Sequence, residues 1–104
     1  MIHMIDGLSS LVGKQTKVFL FPELKFVSGK FVKAKMAEEG FVPATNQEVL
    51  IFGRDNSKRH PLIAAIGNLP NALCLWEGDG QGLELIETND EDDWHTGFGF
   101  LGIQ

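Results

Sequence analysis

The sequence has no tyrosine and a single cysteine, Cys74. One thiol excludes an intramolecular disulfide and any zinc site built from several cysteines. Without tyrosine, one common acid–base and phosphate-orienting side chain is missing. No apolar run approaches the ~18 residues that a membrane-spanning helix needs. The N-terminus, Met1 to Asp6, lacks the basic start and long apolar stretch of a signal peptide, so cytoplasmic residence and no membrane contact are expected. Nucleophile-elbow, dinucleotide-loop and EF-hand patterns are all absent. No catalytic residue, cofactor or metal site is therefore assigned, and a non-enzymatic role is expected.

Lysine and arginine are also missing from residues 76–104, which hold eight acids. Residues 1–37 carry six lysines (Lys14, Lys17, Lys25, Lys30, Lys33 and Lys35) against Asp6 and Glu23, a balance of +4. Residues 38–75 come to −1, and the whole chain to −5. A stretch of one sign projects a field able to steer a partner of the opposite sign. The competing reading is that the basic third and the acidic tail neutralise each other within one fold. With a pI near 5.0, general nucleic-acid binding is disfavoured.

An apolar share of 43% with 22% charged residues is that of a globular protein. At 104 residues, a single domain spanning 1–104 is expected. Thin signals allow a short helix over 4–12. Thr16–Phe21, with its β-branched and aromatic residues and Pro22 behind it, reads as a strand. Residues 29–39 read as a helix with Ser28 as N-cap, Gly40 as the left-handed stop and Phe41 folded back towards Met36. Against this, lysines occupy its first turns and Glu38-Glu39 its last, opposite to what the helix dipole prefers. The rival is a bent strand with Val32, Ala34 and Met36 on one face. Under that rival, the short helix, the strand and the curved strand opening at Val27-Ser28-Gly29 resemble an Sm-like or SH3-like small β-barrel.

Further on, Glu48–Gly53 and Pro61–Gly67 read as strands, suggesting a hairpin with a long charged loop. Leu73–Glu77 and Leu83–Glu87 flank the glycine-rich turn 78–82, a hairpin signal. That turn has neither the spacing nor the following helix of a phosphate loop. Residues 94–103 alternate as a last strand, with Trp94, Thr96, Phe98 and Phe100 on a core face. His95, Gly97, Gly99, Leu101 and Ile103 form the other, where the glycines leave room for close approach. The expected fold class is α+β: an antiparallel β-sheet of five or six strands with one covering helix at about 29–39. An edge along Phe98–Ile103, left unpaired, would invite a homodimer.

Three candidate chemistries are weighed and set aside. Cys74 shares a strand face with Trp76 and reads as a buried, inert thiol. His3, His60 and His95 are too dispersed for a metal site, and His95 beside Asp92 and Asp93 is the one acid–base candidate. The carboxylates at 90–93 lack the calcium-loop pattern. What remains is Asp90, Glu91, Asp92, Asp93, Trp94 and His95, an aromatic next to a negative cluster. This segment is expected to bind a basic protein partner by steering and anchoring. The alternative is a β-rich module binding nucleic acid or a small ligand through the lysine-rich N-terminal third, with Phe26 and Phe31.

Overall fold

The structure, a computed structural model, describes residues 13–55, 62–75 and 82–104. The short helix expected over 4–12, the charged turn expected over 54–59 and the glycine-rich hairpin turn lie wholly or mostly outside those residues. Elements run in the order β1 (Thr16–Phe19), β2 (Phe26–Ser28), α1 (Gly29–Glu38), β3 (Val42–Pro43), α2 (Asn46–Asp55), β4 (Ile63–Ala64), β5 (Asn71–Leu75), β6 (Leu83–Glu87), β7 (Asp93–His95) and β8 (Gly99–Ile103). The class is α+β. A six-stranded mixed sheet has the order β1-β8-β4-β5-β6, with β3 beside β4 along one edge of β8. All its pairs are antiparallel except β4 with β8. β2 and β7 form a separate antiparallel pair.

α1 starts and stops where its sequence signals say. Ser28 Oγ accepts the Phe31 N–H at 3.1 Å. At the other end Gly40 has φ +80°, its N–H bonds to the Ala37 carbonyl, and the Phe41 N–H bonds to Met36. Those two bonds satisfy carbonyls that the helix end would otherwise leave open. The unfavourable lysines of the first turns are answered from elsewhere in the chain. Asp90 sits over the N-terminus of α1, its carbonyl accepting the Lys30 N–H at 3.0 Å and its carboxylate meeting Lys33 Nζ at 2.7 Å. With 29–38 helical and the sheet open, the small-barrel alternative is excluded.

Residues 48–53 form a helix, not the expected strand. Thr45 Oγ1 accepts the Glu48 N–H at 3.2 Å, and Glu48 Oε1 accepts the Thr45 N–H at 2.9 Å. This reciprocal cap satisfies two donors at once and outweighs the β-like run Val49–Phe52. Asn46 then ties α2 to the sheet, accepting the Leu73 N–H at 3.1 Å and donating to the Asn71 carbonyl at 3.3 Å. The 48–67 hairpin accordingly does not form. Two helices rather than one accompany the sheet among the described residues.

Successive β5 residues feed opposite faces, as strand pleating requires. Ala72 and Cys74 join a core with Phe19, Phe100, Trp94 and the α1 residues Val32 and Met36. Leu73 and Leu75 join Ile63, Leu101, Ile103 and the α2 residues Val49 and Phe52. The sheet is therefore packed on both faces, by α1 with β2–β7 on one and by α2 on the other. The continuous last strand expected over 94–103 is broken at 96–98, where the Phe98 N–H turns back to the His95 carbonyl at 3.1 Å. Its aromatic face is core nonetheless, and Val18 packs against Gly99 as close approach at a glycine requires. β8 is flanked on both edges. The unpaired terminal edge on which a homodimer was expected does not exist.

Candidate partner-binding surface

The acidic connection between β6 and β7 is organised by its own side chains. Asp92 Oδ2 accepts from Thr88 Oγ1 at 2.8 Å and from the Asn89 N–H at 3.0 Å, while Asn89 Oδ1 accepts the Glu91 N–H at 2.9 Å. Such side-chain-to-backbone bonds substitute for a regular ladder and fix the turn. β7 then alternates. Asp93 and His95 point to solvent, and Trp94 lies opposite Val27 and points inward.

Of the six residues expected at this surface, Glu91, Asp92, Asp93 and His95 are exposed and Asp90 is half-buried in its contacts with α1. Trp94 is only 5% exposed. Its ring meets Phe98 at 5.1 Å and Phe100 at 5.7 Å, both edge-on. The indole therefore fastens β7 to the core and does not stand out as an anchor for a partner. Its Nε1 is buried with no hydrogen-bond partner among the described residues, an arrangement that costs about 1–3 kcal/mol. Trp94→Phe should consequently lower stability by less than about 1 kcal/mol, because the lost ring volume is offset by removing the orphaned donor. Denaturant unfolding of that variant checks this.

Beside Trp94 lies an open groove of about 220 Å³, lined by Ile86, Thr88, Asp93, Trp94, His95 and Phe98. His95 Nδ1 accepts the Gly97 N–H at 3.0 Å, and its ring stands edge-on to Phe26 at 5.9 Å. No carboxylate among the described residues hydrogen-bonds to this imidazole; the neighbouring Asp92 is held by Thr88 and Asn89 instead. Sequence reasoning placed Phe98 on the face of Trp94 but missed Phe26 and Ile86 as neighbours of this segment. Only the β2–β7 pairing brings Phe26 there, and no local pattern announces it.

The ion pairs decide how the two charged ends relate. Lys14 meets Glu48, Lys17 meets Glu39, and Lys35 meets Glu38. Lys33 with Asp90 is the one ion pair, among the described residues, that joins the basic third to the acidic tail. Glu84, Glu87, Glu91, Asp92 and Asp93 are exposed and form no ion pair among the described residues.

Cys74 lies opposite Glu84 and is buried. Burial pushes its thiol up to about 11, and the Glu84 charge adds to the rise. At pH 8 only ~0.1% is thiolate, against roughly a quarter for an unperturbed cysteine. A thiol reagent should accordingly label native protein about 100-fold more slowly than unfolded protein at that pH. Stability tied to the protonated thiol is full below about pH 8.5, where the unfolded chain's cysteine also keeps its proton, and is lost as pH rises towards 11. Denaturant titrations across that range check the sign.

No group of three or more histidine, cysteine or carboxylate side chains is placed to hold a metal ion among the described residues. None of the described helices is long and apolar enough to cross a membrane. No protein-family model, curated protein or solved structure matches the chain.

Proposed function

We propose that this chain is a small, non-enzymatic, single-domain cytoplasmic protein that uses its acidic β6–β7 surface to bind, and so block, a basic face of a protein partner. The observation that carries this reading is the set of five exposed carboxylates, Glu84, Glu87, Glu91, Asp92 and Asp93, without ion pairs among the described residues. Three of the six lysines of the basic third are engaged with Glu38, Glu39 and Glu48 instead, and only Lys33 reaches the tail, at Asp90. Internal neutralisation therefore leaves the tail's field largely intact. Asp90 and Trp94 support the surface from beneath, by capping α1 and by packing β7. Glu91, Asp92, Asp93 and His95 face the partner.

The test is a quadruple variant, Glu84→Gln, Glu87→Gln, Glu91→Gln and Asp93→Asn, which spares Asp90 and the turn-forming Asp92. Its thermal stability should be unchanged or slightly higher, because like-charge repulsion is relieved. Binding to a basic partner captured from the native host should weaken about tenfold or more, chiefly through slower association.

A nucleic-acid or small-ligand module built on the lysine-rich third has one observation in its favour. Phe26 is 58% exposed beside Lys25, and neither Lys25 nor Lys30 forms an ion pair among the described residues. Four of the six lysines are nevertheless paired, which reduces the basic charge available to a phosphate backbone.

A further inference from the structure

We infer that the outer edge of β6 is the docking rail of this surface, and that it takes an extended basic segment of the partner as an added β-strand. This rests on the acidic-surface reading above and specifies how the partner is held.

Hydrogen-bond phase shows which backbone groups are free. The Ala65 N–H donates to the Leu73 carbonyl at 2.9 Å, so the polar groups of Leu73 point towards β4. Consecutive residues of an antiparallel strand alternate, so Ala72 and Cys74 point towards β6. Their partners in register are Ile86 and Glu84. The Thr88 N–H bond to the Pro70 carbonyl, 2.8 Å, continues the same phase. The N–H and C=O groups of Leu83, Leu85 and Glu87 therefore point away from the sheet. β6 pairs with β5 alone among the described residues.

Edge strands are commonly guarded by lysine, proline, a bulge or a covering loop. β6 carries neither lysine nor proline, and Leu83 and Leu85 are 50% and 62% exposed. Its guard is negative: Glu84 and Glu87, continued by Glu91 and Asp93. A negative guard works against a second copy of this chain, which would bring the same acids alongside, and favours a cationic strand. Directly opposed residues share a sheet face, so the register defines the occupant. Facing Leu83 to Glu87 in order, it presents apolar, basic, apolar, unrestricted and basic residues. Main-chain bonds hold such a strand, and its side chains select it.

The test uses a synthetic peptide carrying that pattern between threonine flanks, a scramble of the same composition, and oligolysine. Amide exchange of the protein is followed by NMR. On adding the patterned peptide, the N–H groups of Leu83, Leu85 and Glu87 should slow about tenfold or more, while those of Glu84 and Ile86, already bonded to β5, change little. Leu85→Pro removes an outward donor without touching the ladder to β5 and should weaken binding about tenfold; Leu85→Val should retain it. Should Leu85→Pro not fold, exchange in the wild type decides alone. If oligolysine or the scramble binds as well as the patterned peptide and the three amides stay unprotected, the edge docking is wrong and the acidic surface stands. If no cationic peptide binds, both fall. A mass twice 11.5 kDa, with those amides protected before peptide is added, assigns the edge to a second copy and overturns the proposal.

Discussion

Phe100→Ala should lower the free energy of unfolding by about 3–5 kcal/mol, a large part of the ~5–15 kcal/mol that a domain of this kind has. Phe100 is fully buried in β8, which pairs with β1, β3 and β4. Its ring meets Trp94 at 5.7 Å and Phe21 at 6.4 Å, so it joins the β2–β7 pair and the segment that follows β1 to the main sheet. Truncation leaves a cavity between elements that pack through this ring, and a sheet pinned on both faces has little freedom to collapse into it. Phe100→Leu, which keeps most of the volume, should cost far less. Paired denaturant titrations measure the difference. Equal losses for the two variants would mean that ring packing is not what holds β7 in place.

Gly67→Ala should be the most damaging small substitution, at about 2–3 kcal/mol. A Cβ there would lie 2.5 Å from the Ala44 carbonyl oxygen and 2.8 Å from that of Pro43. Both obstacles are backbone, and neither can swing aside like the end of a side chain. Ala44 is also fixed on both sides, its N–H bonded to Leu101 and its carbonyl accepting the Gly67 N–H, each at 2.9 Å. The substitution therefore forces apart the link that holds the start of α2 against β4. A melting temperature within about 2 °C of wild type would contradict this, since a loss of that size shifts a domain of about 100 residues by roughly 10 °C or more.

Elements whose signals are local were legible in the sequence. Ser28, Gly40 and Phe41 delimit α1 because caps act within a few residues of one another. The β5–β6 pairing followed from two alternating runs around a glycine-rich turn. Glu48–Phe52 misled because its β-branched and aromatic residues fit a strand, while the decisive signal lay just upstream. Thr45 with Glu48 is a capping box, and it was readable. The break at 96–98 had no comparable local cue beyond its glycines, and the β2–β7 pairing is non-local.

The candidate surface was legible as charge but not as shape. Counting residues located the acids; it did not show that Asp90 belongs to α1, that Asp92 closes a turn, or that Trp94 faces the core. Each depends on what the rest of the chain places next to that segment. Alternation alone would likewise turn Leu83 and Leu85 towards a core. They are exposed because β6 ends the sheet, and α2 packs on β5 rather than reaching past it.

The most direct test of the acidic surface is the association rate of the captured basic partner, measured against ionic strength for the wild type and the Glu84→Gln, Glu87→Gln, Glu91→Gln, Asp93→Asn variant. Steering by exposed charge predicts a wild-type rate that falls steeply as salt shortens the screening length from ~10 Å at 0.1 M to ~3 Å at 1 M. It predicts a variant rate that is lower at low salt and nearly flat, with stability intact. A variant that binds as fast and as tightly as wild type but melts earlier would show that these carboxylates serve the fold, and would contradict the account.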